Sequence, residues 1–118
     1  MIERWIDEVK KKVRPEMLGM IAIHHGLVRA TSKDGRRISR MRLSYDKDRL
    51  STIVQDLKRR DGIGEIMVWI NEGELSVGDD IMYVLVAGRF RQDVFPVLER
   101  LVGLIKSEVV KEEELEMA

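Results

Sequence analysis

The chain has 118 residues, 44% of them hydrophobic and 36% charged, which supplies one core on a length too short for two. Lysine plus arginine equal aspartate plus glutamate at 21 each, so no net charge draws the molecule as a whole to nucleic acid. Cysteine is absent and histidine occurs twice, which excludes disulfides, thiolate metal sites, a cysteine nucleophile and a histidine-based metal centre. The composition predicts a single domain over residues 1–118, with no metal and no cofactor. No run approaches 18 uncharged apolar residues, and the first 13 residues lack the apolar stretch of a signal peptide, so the expectation is a cytoplasmic protein that does not enter a membrane.

Ile2, Trp5, Ile6 and Val9 recur at helical spacing and predict an N-terminal helix that Pro15 ends. The apolar run from Met17 to Ile23, continuing through His24, His25 and Gly26 to Val28, predicts a strand with a glycine-marked irregularity. Asp34-Gly35 favours a tight hairpin turn, and 36–45 reads as the returning strand. From Asp46 the period becomes helical at Leu50, Ile53, Val54 and Leu57, with Asp46 or Asp48 as cap and Asp61-Gly62 as the exit. A strand follows at 63–70, then a turn-rich link through Gly73 and Gly78, then the most apolar strand at 81–87. The last helix is expected from about Asp93 to Lys106 with Pro96 in its first turn, and the acidic end from about residue 112 is expected to fray. The order α-β-β-α-β-β-α is an α+β pattern.

Two basic groups stand out. Arg29, Lys33, Arg36, Arg37, Arg40 and Arg42 surround the predicted hairpin, where they either pair with acids elsewhere or bind a phosphate backbone. Arg89 and Arg91 precede a helix, where side chains and helical amides can converge on an anion, and Lys106 stands at its other end. His24 and His25 are adjacent on a strand and therefore face opposite sides, so they cannot share one metal.

Gly19 to Arg29 has the spacing G-x-x-x-x-x-x-G-x-V-R, Gly73-Glu74-Leu75 precedes Gly78-Asp79-Asp80, and Phe90-Arg91-Gln92-Asp93-Val94-Phe95 leads into a helix ending at Lys106. In this order the elements resemble the large subunit of molybdopterin synthase over roughly residues 17–112, with Asp79-Asp80 for that family's paired glutamates and Phe90 for its usual histidine. The resemblance implies an α/β hammerhead-like domain with antiparallel sheets and three main helices. It also implies a homodimer in which each chain binds the C-terminal Gly-Gly tail of a ubiquitin-like small subunit. That tail carries a thiocarboxylate, the sulfur donor that converts cyclic pyranopterin monophosphate, a pterin phosphate, into molybdopterin. On this resemblance Lys106 and Lys111 are the catalytic lysines, Lys111 only with a two-residue gap, and Arg29, Arg91 and Arg89 bind the substrate phosphate or the tail carboxylate. The alternatives are a non-catalytic relative that binds the tail or the pterin, and a basic-hairpin nucleic-acid binder.

Overall fold

A computed structural model describes residues 1–117. The elements are α1 (Ile2–Lys12), β1 (Met20–Leu27), β2 (Ile38–Tyr45), α2 (Lys47–Lys58), β3 (Ile63–Ile70), β4 (Gly73–Ser76), β5 (Asp80–Gly88), α3 (Arg91–Leu104) and β6 (Val110–Glu116). They make two three-stranded antiparallel sheets, ordered β1-β5-β3 and β4-β2-β6. The architecture is the α+β hammerhead-like one, with three main helices. Among the described residues no helix is long and apolar enough to cross a membrane.

β5 is central in the first sheet, and its alternation explains the layers. Met82, Val84 and Val86 point into the main core with Val94, Val97 and Leu101 of α3 and Ile53 and Leu57 of α2. Leu85 and Ala87 point the other way, to Val9 of α1 and Val13 just past its end, with Trp5 and Ile6 beside them. Both faces of β5 are thus dry, which is why its sequence reads as one apolar run rather than as an alternation. The inner face of the second sheet, Met41, Leu43 and Leu75, joins the main core.

Four expectations need correction. The Asp34-Gly35 turn forms, with Gly35 at φ 88° and a Thr31–Arg37 bridge, but it does not pair β1 with β2. Val28 exchanges backbone hydrogen bonds with Asp79 and Gly78, which carries the chain out of the first sheet before β2 starts the second. Residues 73–76, read as a turn-rich link, form edge strand β4 against β2.

The acidic end does not fray from 112: it forms β6, paired with β2 from Tyr45–Val110 to Ile38–Glu116. Its acids lie beside arginines of β2 and of the turn before it, with Arg36 Nη1 2.5 Å from Glu116 and Arg42 Nη1 3.9 Å from Glu113. Finally, α3 starts at Arg91 because extended Phe90 caps it through its carbonyl, so Pro96 falls in the second turn. Beyond Leu104 the helix widens into a π-type turn, Ile105–Val109, that leads into β6.

Candidate functional site

The strand irregularity expected at Gly26 is a register shift between Gly26 and Leu27. Such a shift re-aims the side chains that follow it. Beyond it, Leu27 and Arg29 line a cleft of about 530 Å³ with Lys106 from the turn after α3, Met41 from β2 and Ile81 from β5. The rim is the 31–36 turn on one side and Glu112 and Glu114 of β6 on the other. Four basic side chains (Arg29, Lys33, Arg36, Lys106) and three acidic ones (Asp34, Glu112, Glu114) therefore face one space.

These charges are unequally engaged. Arg36 Nε lies 3.0 Å from Asp34, whose carboxyl is held below its usual range by hydrogen bonds from Ser32 and Arg36. Arg29 donates from Nε to the Thr31 carbonyl at 2.7 Å, which fixes the guanidinium and leaves its terminal nitrogens for a ligand. Among the described residues half-exposed Lys106 pairs with Glu112, at 3.9 Å, a separation at which an ion pair is weak and exchangeable. An entering anion meets one oriented guanidinium and one loosely held ammonium.

Next to this cleft, on the seam between β1 and α3, lies a second groove lined by His24, Phe95, Leu98, Glu99 and Val102. Phe95 and Leu27 are each about half exposed, so the seam has an apolar wall and a basic end.

The remaining predicted residues lie elsewhere. Lys111 pairs across from Ser44 and, with Arg42, Glu74 and Glu113, lines a hollow on the opposite face of the second sheet. Arg89 Nε lies 3.6 Å from Asp93 and its terminal nitrogen 3.4 Å from Asp61, so it clasps the start of α3. Arg91 is exposed at the first residue of α3, 15 residues before Lys106. At 1.5 Å per helical residue that is roughly 20 Å away, so Lys106 does not face Arg91 within one chain. Of the basic hairpin group, Arg40 lies 3.0 Å from Glu74 and Arg42 is near Glu113, which interlaces the group with carboxylates.

Sequence reasoning did not find Glu112 and Glu114, which were assigned to a frayed end. It also missed a network on the far face of the first sheet, where Asp80 accepts from His25 and from Tyr83, each at 2.5 Å. Those hydrogen bonds, Tyr83's first, hold the Asp80 carboxyl below its usual range and push the Tyr83 phenol up. The network is packed in an aromatic row, with Tyr83 4.6 Å from His25 and 4.9 Å from Trp69 between ring centres. Among the described residues no group of three His, Asp or Glu side chains is placed to hold a metal ion.

Comparison with known proteins matches residues 3–108 to the family model described as MoaE protein. A relative from Methanocaldococcus jannaschii, the uncharacterized protein MJ0717, is 28% identical over 105 residues, covering 86% of this chain and 87% of that one. Among solved structures, molybdopterin synthase from Staphylococcus aureus superposes with a TM-score of 0.77 at 17% identity, covering 95% of this chain and 84% of its own. The MoaE protein of Burkholderia ambifaria gives a TM-score of 0.77 at 20% identity over 98% and 82%. A complex of subunits 1 and 2 of the molybdopterin-converting factor from Helicobacter pylori gives 0.74 at 15% over 98% and 75%. A family match over nearly the whole chain, on a fold of the same layout, places this protein in the MoaE family, the large subunit of molybdopterin synthase.

Proposed function

We propose that this chain transfers sulfur from the thiocarboxylated Gly-Gly tail of a ubiquitin-like small subunit to cyclic pyranopterin monophosphate, the step that makes molybdopterin. The observation that carries the reading is the convergence of Arg29 and Lys106 in one cleft at the basic end of the β1–α3 seam. An extended tail suits a groove whose wall is apolar and whose end is cationic, because its carboxyl-derived terminus seeks fixed positive charge. Arg29 orients the anionic end of the tail or the pterin phosphate. Lys106, once an anion displaces Glu112, supplies acid–base help at the reacting carbonyl. The partner in this reading is a ubiquitin-like small subunit, and the structural likeness to a complex of subunits 1 and 2 of the H. pylori molybdopterin-converting factor supports a two-protein assembly.

Lys111 has no part in this reading, since it lies on the other face of the second sheet. Arg91 lies too far to serve the cleft of its own chain, and exposed Phe90 and Phe95, beside and on α3, support a homodimer. Light scattering at micromolar concentration is expected to give twice the chain mass of 13.7 kDa; a stable monomer rejects the dimer.

A second reading, a relative that binds the tail or pterin without turnover, is favoured by Lys111 lying outside the cleft and by Phe90 standing exposed where the family has a histidine. One experiment separates the two. Single-turnover product from a cognate thiocarboxylated donor is expected from the wild-type chain; tail binding with no product selects the second reading.

A further inference from the structure

His24 and His25 are adjacent in sequence, yet they differ in what holds them. His25 faces Tyr83 and is tied to Asp80. His24 is opposite Val84 on the α3 side and makes no such tie among the described residues. It shares its groove with Phe95, Leu98 and Val102, and its Nε2 reaches along the strand over Gly26, 3.5 Å from where a Cβ at that glycine would stand. Leu27, the next residue, already lines the cleft.

Lys106 follows Val102 by four residues, one helical turn on the same flank. One imidazole therefore stands between the apolar groove and the Lys106 end of the cleft. The charged groups around it are Glu99 from α3, Lys106 from the turn after α3, and His25 behind it on β1; β5 contributes only uncharged Val84. Burial lowers the His24 pKa below the ordinary imidazole value, and the charge of Lys106, then that of His25, acts in the same direction. These causes together favour the neutral imidazole at His24.

We infer that His24 is a proton-linked specificity residue of the cleft, which takes up a proton when a dianion binds beside Lys106 and so favours dianionic over neutral or singly charged groups. The inference rests on the reading of the cleft as an anion site. Its physical basis is reciprocity. An anion that offsets the Lys106 charge removes part of what keeps His24 neutral, and protonation of His24 must then strengthen anion binding by the same factor. The local field is partly desolvated by the apolar groove, so salt screens it less than it screens the exposed arginines of β2.

Inorganic sulfate is a suitable probe because its own charge is fixed between pH 5 and 8, so a change in its binding across that range reports on the protein. Imidazole NMR titration of the full chain is expected to show the His24 midpoint rising on saturation with sulfate. Sulfate should bind about 3- to 10-fold more tightly at pH 5.5 than at pH 7.5. His24→Gln should flatten that dependence, with the His25 resonance reporting that β1 is intact. His25→Gln should leave it in place, since that ring is on the other face. Lys106→Met should raise the His24 midpoint without sulfate. An unmoved midpoint, an unchanged pH dependence in His24→Gln, or no saturable sulfate binding overturns the inference. Sulfate linkage in a chain that transfers no sulfur discards the proposed activity and keeps this inference; transfer with pH-independent sulfate binding does the reverse.

Discussion

The two faces of the first sheet are closed in opposite ways. On the α1 face the main charge is Glu65, buried to 6% exposure and held by Lys12 and Lys58, each at 2.7 Å, with the Ile66 amide as a third donor. On the α3 face, beyond the apolar packing, Lys106 is half exposed and its carboxylate is 3.9 Å away. A buried carboxylate is tolerated only when its partners are fixed, because leaving it unpaired costs several kcal/mol. A ligand site needs the reverse: charges oriented by the fold but not already committed. The same sheet thus carries a clasp on one side and a loosely committed electrostatic seat on the other.

The largest expected effect is on the seat. Lys106→Ala should keep the fold and the family partner but lower single-turnover sulfur transfer by about 10²–10⁴-fold, the usual loss for one acid–base group. Equal product from variant and wild type would remove Lys106 from the mechanism.

The next effect is on the clasp. Glu65→Gln strands two lysine partners, one of them largely in water, so about 1–3 kcal/mol of stability should be lost rather than the full cost of breaking a dry pair. Burial pushes the Glu65 pKa up, but the hydrogen bonds from Lys12, Lys58 and Ile66 outweigh it and the folded value is lowered. A depressed carboxylate contributes stability that is fully present above its unfolded pKa, about 4.3, and is lost as pH falls through the folded value. Urea unfolding should therefore separate wild type from Glu65→Gln by the full amount at pH 7 and by progressively less below about pH 4. A gap that persists unchanged at pH 3 would show that packing, not charge, holds α1 there.

The contrast between clasp and seat also explains what the sequence could reveal. α2 was legible, with its cap narrowed to Asp46 or Asp48, because such a cap acts locally: Asp46 accepts from the Arg49 amide at 3.0 Å. β3 was legible because its apolar run is short and bounded by turn residues. β4 and β6 were not, because nothing in Gly73–Ser76 or in the glutamates of 112–116 announces a strand; their partners are arginines of β2 distant in sequence. The β1–β2 hairpin was misread because Asp34-Gly35 specifies a turn, while the choice of sheet is made by Val28 against β5's lead-in. In the site, Arg29 and Lys106, which the family resemblance singles out, line one cleft, but Glu112 is invisible to a reading that frays its segment.

The smallest expected effect concerns Lys111. Residue parity in a strand decides the face a side chain takes, and a shift of one residue moves every side chain to the other face. In β6, Glu112 and Glu114 pair across from Leu43 and Met41 and point to the cleft, whereas Lys111 and Glu113 pair across from Ser44 and Arg42 and point away. A gap of two residues aligns Lys111 with a catalytic lysine in sequence without altering this geometry. Lys111→Ala should therefore change sulfur transfer by less than about twofold, as expected for an exposed charge outside the cleft, while Glu112→Gln should tighten sulfate by loosening the hold on Lys106. A loss with Lys111→Ala approaching that of Lys106→Ala would mean that β6 pairs with β2 one residue out of this register when substrate is bound, which would also bring Glu113 into the cleft and turn Glu112 out.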